Sequence, residues 1–293
     1  MNLFQALEQL PPSQHISGCI PNYLYGAFRR KSITFFNGLT DEKTIVYWFQ
    51  SRSFTIDLRL KKRIGTPIHE RQGWIGNTEW DATQQLLSWQ VHPYSNYQNH
   101  VQWPEPAKLH AIGNSILEFS PSNVYVEDWR QQAREGLFLG LRLKSVLNVE
   151  TDQLLQMDGG LIICGHQMAF ALSRLPEDQQ TVSTIDMQTA SSIENAVIES
   201  FEVSIALGGR HKHYSTTSAQ QDQPFNFESF KIIDESHLMQ SILIGGYEHQ
   251  LVFEVDVYVP DYVFQHTTDT TMQSADWLLN EKQHLMHHAV ECL

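Results

Sequence analysis

The 293-residue chain is short of cysteine, of basic residues and of long apolar runs, and each shortage removes a class of protein. Its three cysteines, Cys19, Cys164 and Cys292, show no CxxC spacing and build no disulfide framework. The chain therefore reads as one from a reducing compartment, cytoplasmic, with Cys164 as a buried structural thiol. Lys and Arg number 20 against 33 Asp and Glu, a formal net charge of −13. Phosphate backbones are bound by basic surfaces, so no nucleic-acid partner is expected. The one basic run, Lys61-Lys62-Arg63, reads as a solvated loop. No apolar stretch approaches the ~20 residues of a membrane-spanning helix, and MNLFQALEQLPPSQ has neither a basic n-region nor a long apolar segment. Neither a membrane span nor a secretory signal is expected. GxGxxG, GxxxxGK[ST] and GxSxG are missing as well, so dinucleotide, P-loop and α/β-hydrolase chemistry are unsupported and no cofactor is expected.

What is present is a folded chain, 41% apolar and 11% aromatic, whose apolar pattern has period two. Residues 2–10 form a short helix, with Leu3, Phe4, Leu7 and Leu10 on one face, stopped by Pro11-Pro12. Strands are expected over 26–36, 44–50, 54–60, 73–81, 86–92, 107–111, 115–119, 124–130 and 137–143. In the second half they are expected over 160–174, 196–207, 230–234, 239–244 and 250–260. The link Asn37-Gly38-Leu39-Thr40-Asp41 carries hairpin-turn chemistry, and the Gly-Gly pairs at 159, 208 and 245 read as turns or bulges. Short strands at regular spacing predict an all-β barrel or sandwich. The tail ADWLLNEKQHLMHHAVECL reads as an amphipathic helix that closes a barrel end or packs outside.

Two short strings recur in order about half a chain later: SRSFTIDLRL from Ser51 as IESFEVSIAL from Ile198, and NVYVEDW from Asn123 as DVYVPDY from Asp256. An internal duplication would fit them. The polar stretch 148–158 divides the chain into 1–148 and 149–293. The segments RRKSITFFNGLTDEKTIVYWFQSRSFTIDLRL, GWIGNTEWDATQQLLSWQVHPY and ILEFSPSNVYVEDWR resemble a family of uncharacterised bacterial proteins with lipocalin-like (calycin) folds. That resemblance covers most of the first half and fades in the second. It implies two lipocalin-like antiparallel β-barrels, one per half, with short N- and C-terminal helices, and it carries over no catalytic residue.

The residues that could carry chemistry gather in the first half. Side chains alternate across a strand, so Phe54, Ile56, Leu58 and Leu60 share one face and Thr55, Asp57 and Arg59 share the other. Alternation leaves open which row lies inside. An inward Asp and Arg would need partners, and Glu118, Glu127, Tyr125 and Trp129 supply candidates; Trp48 and Gln50 share one face of their strand, and Trp89 adds an aromatic wall. Trp48, Trp74, Trp80, Trp89, Trp103 and Trp129 crowd the first half, where most read as core. The pairs His211/His213 and His284/His288 have spacings that could present two ligands but lack a third, so no metal is assigned. His166 reads as a satisfied core histidine. For acid–base work Asp57, Glu118, Glu127, Glu202 and His92 are the candidates.

The function expected from these residues is binding of a small, largely apolar ligand with a polar or acidic end, held by Trp48, Gln50, Asp57, Arg59, Trp89, Glu118, Tyr125, Glu127 and Trp129. The alternative is a cofactor-independent isomerase, cyclase or lyase that uses carboxylate or histidine acid–base catalysis in the same pocket. A third reading makes the second barrel the interface of a homodimer.

Overall fold

A computed structural model describes residues 1–13, 16, 20–99 and 105–289. Cys19, Cys292 and Trp103 lie outside the described residues. The first half is a meander of β1 (Gly26–Phe35), β2 (Thr40–Asp41), β3 (Ile45–Gln50), β4 (Phe54–Leu60), β5 (Gln72–Asp81), β6 (Leu86–Gln90), β7 (Ala107–Ile112), β8 (Ser115–Phe119) and β9 (Tyr125–Gln131). β2 is a short flap on β1; every other strand pairs antiparallel with its predecessor in this order, and β1 pairs with β9 to close an eight-stranded barrel. The Asn37-Gly38 turn does supply a hairpin, with Gly38 at φ +83°, a conformation that a Cβ disfavours.

Both rows of β4 are buried, which alternation alone could not reveal. Phe54, Ile56, Leu58 and Leu60 point out of the barrel and join one core cluster with Ala169, Val203 and Ile205 of the second half. Thr55, Asp57 and Arg59 therefore point into the barrel. The second half contains β10 (Glu135–Asn148), β11 (Gln153–Leu155), β12 (Gly159–Cys164), β13 (Gln167–Leu172), β14 (Glu202–Leu207), β15 (Tyr214–Ser215), β16 (Phe230–Ile232), β17 (His237–Ile244) and β18 (Tyr247–Val263). Its spatial order is β15-β14-β13-β12-β10-β18-β17-β16, with β11 also on β10, and the edge strands β15 and β16 do not pair with each other.

The expectation of two closed barrels is thus corrected to one barrel and one open sheet. β15 and β16 are too short to zip the sheet shut. The N-terminal helix α1 (Leu3–Leu7), capped by Asn2, takes the vacant side: Leu3 N–H donates to the Phe227 carbonyl at 2.7 Å, and Leu3, Ala6 and Leu7 join Phe225, Phe227, Phe230 and Phe253 in a second core cluster.

Other expectations change for local reasons. The run 160–174 is a hairpin and not one strand, because Gly165 at φ +60° reverses the chain between β12 and β13. His166 occupies that turn and is exposed, so it is no core histidine. The run 196–207 begins as helix α3 (Ser192–Ile198), started by a capping box of Ser191 with Glu194, and becomes β14 only at Glu202. Helix α2 (Pro176–Val182) has proline at its first position. The Gly159-Gly160 pair opens β12: a Cβ on Gly160 would come 2.8 Å from the Leu141 carbonyl oxygen and 2.9 Å from the Phe54 ring, so glycine there permits the two sheets to approach. β10, read with the first half, opens the second sheet, and the division at 148 falls between β10 and β11. Helix α4 (Met272–Leu285) exists but buries no residue, with Trp277 57% exposed, so it closes no barrel end. Among the described residues no helix is long and apolar enough to cross a membrane.

Candidate functional site

Cross-strand register assembles the barrel interior. Asp57 on β4 sits between Trp48 on β3 and Trp74 on β5. Glu118 on β8 faces Glu127 on β9, and Trp129 two residues on faces Ile116. These side chains enclose a cavity of about 340 Å³ lined by Ile33, Phe35, Trp48, Asp57, Arg59, Trp74, Trp89, Glu105, Glu118, Tyr125, Glu127 and Trp129. The Trp48 and Trp129 rings meet edge to face at 5.7 Å, as do Trp48 and Trp89 at 6.2 Å and Trp74 and Trp89 at 6.0 Å, a geometry aromatic quadrupoles favour.

Two of the buried carboxylates are paired with guanidinium groups and one is not. Arg59 Nε donates to Asp57 Oδ1 at 2.9 Å and Nη2 to Oδ2 at 3.4 Å. Arg30 Nη1 donates to Glu127 Oε1 at 2.6 Å, and its Nη2 reaches Asp41 at 3.3 Å. Glu118 accepts a hydrogen bond from Trp129 Nε1 at 2.9 Å and a long one from the Tyr125 hydroxyl at 3.5 Å. Glu105, partly exposed, accepts from the Ser122 N–H and hydroxyl, both at 2.7 Å.

Burial pushes the Glu118 carboxyl well above the usual carboxylate range, and the charge of Glu127 pushes the same way; Arg59 and the Trp129 bond only partly oppose them. Burial also raises the Tyr125 phenol, with Glu118 and Glu127 adding to it. For Arg59 burial disfavours the charge, but Asp57, Glu127 and Glu118 together outweigh it and raise its pKa above the ordinary guanidinium value.

Of the nine residues named from the sequence, Trp48, Asp57, Arg59, Trp89, Glu118, Tyr125, Glu127 and Trp129 line this one cavity. Gln50 does not. It lies fully buried, accepting from Trp48 Nε1 at 3.2 Å and donating to the carbonyls of Ser51 and Phe54 and to the Thr78 hydroxyl, a polar plug with no free group to offer. Ile33, Phe35, Trp74, Glu105 and Arg30 escaped the sequence reading as site residues. Arg30 and Ile33 enter through the β1–β9 pairing that closes the barrel, where Ile33 stands opposite Glu127. A contact spanning about a hundred residues leaves no local signal.

The remaining candidates lie elsewhere. His92 is exposed and stacks on Tyr94 outside the barrel. Glu202 belongs to the second sheet, where it pairs with Lys212 at 2.7 Å. His211 and His284 are exposed, and among the described residues no three His, Cys, Asp or Glu side chains are grouped to hold a metal ion. Cys164 is free and buried, and burial pushes its thiol up. A larger, more open cavity of about 790 Å³ lies against the second sheet, walled by Phe170, Phe225, Phe227, Phe230 and Phe253. There Lys212 binds Glu202 and Gln220 and lies over the Phe225 ring, and Glu199 is paired with Arg71. In the barrel, by contrast, three buried carboxyl groups converge on one cavity.

Fold and site thus define an antiparallel, eight-stranded closed β-barrel with an internal cavity that is aromatic and acidic. No protein-family model and no curated protein sequence matches the chain. Among solved structures, the uncharacterized protein YLR301w of Saccharomyces cerevisiae is similar at 14% identity and a TM-score of 0.46, covering 80% of this chain and 98% of that one.

Proposed function

We propose that the first barrel is a lipocalin-like container that binds a small, largely apolar ligand with a polar end in its cavity. The observation that carries this reading is the burial of Asp57, Glu118 and Glu127 beside open space walled by four tryptophans. A barrel serving only as a core fills with aliphatic side chains, since a buried carboxylate costs several kcal/mol unless it is bonded or used. A few polar groups converging on an apolar cavity of roughly 300–1,000 Å³ is the usual form of a small-molecule site.

The test is titration of intrinsic tryptophan fluorescence with neutral, basic and acidic phenylalkyl compounds, then a crystal structure of the tightest complex. Saturable change and ligand density beside Trp48 and Trp129 are expected; silence across the whole panel would remove the reading.

One observation favours a second reading, a cofactor-independent isomerase, cyclase or lyase. Glu118 and Glu127 face each other across β8 and β9, yet their surroundings differ: Glu118 is held toward its protonated form, while Glu127 is bonded by Arg30. A carboxyl held toward its protonated form opposite one bonded by a guanidinium suits an acid and a base. Prolonged incubation with the compounds that bind, followed by mass spectrometry, tests it. Product that disappears in Glu118→Gln and Glu127→Gln supports catalysis, and quantitative recovery of every ligand opposes it.

A further inference from the structure

Resting on the container reading, we infer that the first barrel selects a cationic ligand, a protonated amine or alkylated ammonium carried on an apolar body, with Glu118 as its counter-ion. The inference follows from which charges in the cavity already have partners. Both guanidinium groups at the site are matched: Arg59 is bonded to Asp57, and Arg30 to Glu127 and Asp41. No guanidinium there is left over to receive a ligand carboxylate. Two carboxylates, in contrast, are bonded among the described residues by neutral donors alone: Glu118 by Trp129 and Tyr125, and Glu105 by Ser122.

The excess is therefore negative, and it has depth. Glu118 is 4% exposed and lines the cavity bonded to Trp129, while Glu105 stands partly exposed on the same cavity. A carboxylate-ended ligand would bring a further negative charge against Glu118, Glu127 and Asp57. An ammonium supplies the charge that is missing.

The walls point the same way. The faces of aromatic rings carry negative potential, which attracts a desolvated ammonium held within about 6 Å of a tryptophan ring. Trp48, Trp74, Trp89 and Trp129 line the same cavity as Glu118 and Asp57, which puts indole rings beside the carboxylates. Carboxylates set among tryptophans form a cage for a cation with an apolar tail. The tendency of Glu118 to hold its proton agrees with this, since Arg59, already bonded to Asp57, only partly offsets its burial and the charge of Glu127.

The experiment uses three probes of one shape, 4-phenylbutylammonium, 4-phenylbutanol and 4-phenylbutyrate, titrated calorimetrically into the full chain at pH 7.5. The ammonium is expected to bind at least about ten-fold more tightly than the alcohol, with the carboxylate weakest. Glu118→Gln should reduce the ammonium to the affinity that the same variant shows for the alcohol. Equal binding of ammonium and alcohol, or preference for the carboxylate, in the unaltered protein would overturn the choice of ligand class while leaving the container reading intact. No heat from any of the three, together with no fluorescence response, would overturn both. An ammonium preference that survives Glu118→Gln would overturn the role given to Glu118. The comparison among probes needs no substitution, so it stands even where a variant fails to fold.

Discussion

At the residue scale the governing fact is that charge has been buried in a place that also holds open space. Asp57 and Arg59 are two residues apart on one strand, so backbone geometry alone brings them side by side, and Arg59 retains 28% side-chain exposure. Arg59→Met leaves Asp57 without its cation. Breaking a fully buried pair costs about 3–5 kcal/mol; with Arg59 partly hydrated, about 2 kcal/mol is expected by urea denaturation, and Asp57→Asn in the same chain should recover most of it. Glu118 makes the opposite prediction with pH. Its folded pKa is raised, so above the ordinary carboxylate pKa the unfolded chain releases a proton that the folded chain keeps. Folding stability attributable to Glu118 is therefore undiminished at acid pH and falls as pH rises from about 4.3 toward the raised value, by about 1.4 kcal/mol per pH unit at most. Glu118→Gln removes this dependence. Between pH 4 and pH 8 the variant should gain stability relative to the parent, and a difference that stays flat with pH would contradict the assignment.

At the element scale β4 and β5 serve two compartments. The outward row Phe54, Ile56, Leu58 and Leu60 packs on β13 and β14 while the inward row builds the cavity, so no residue of β4 is free to drift without disturbing one or the other. Gly160 on β12 is the point of closest approach. Gly160→Ala drives a methyl toward the Leu141 carbonyl and the Phe54 and Ile75 side chains, and a loss of about 1–3 kcal/mol is expected. Gly209→Ala, where a Cβ would meet nothing within 4 Å, should stay within about 0.5 kcal/mol of the parent. Equal effects in thermal denaturation would show that the sheet contact is not as tight as described.

At the scale of the whole molecule the barrel and the open sheet share one core. Arg174, 1% exposed, ties them, donating to the carbonyls of Tyr97 at 2.6 Å and Ile198 at 2.7 Å while its guanidinium lies over the Tyr97 and Phe201 rings. Burial depresses its pKa to about 10. Asp256 on β18 accepts from the Ser51 and Ser53 hydroxyls, each at 2.6 Å, and Asp158 accepts from Ser95 and Arg142. A chain stitched in this way should unfold in one step, with tryptophan fluorescence, which reports mainly the first half, and far-ultraviolet circular dichroism giving coincident transitions. Residues 1–132 expressed alone should aggregate, because the Phe54–Leu60 row would form an exposed apolar patch. A soluble, cooperatively folded fragment would refute the shared core.

By itself the sequence determined the local content of the fold. Alternation named β4 and β8 to the residue, Pro11-Pro12 and Asn37-Gly38 marked a stop and a turn, and the absence of nucleotide and hydrolase motifs narrowed the chemistry. It also brought Asp57, Glu118 and Glu127 forward as one candidate group, because buried charge must find partners and few lay within reach. It could not say which row of a strand lies inside, since a period of two is blind to direction, and here both sides are buried. Nor could it foresee that the second half stays open, which turns on the length of two edge strands and the docking of α1. The pairing of β1 with β9 was decided only in three dimensions. That pairing sets Arg30 against Glu127, and it leaves Glu118 among tryptophans with no guanidinium of its own.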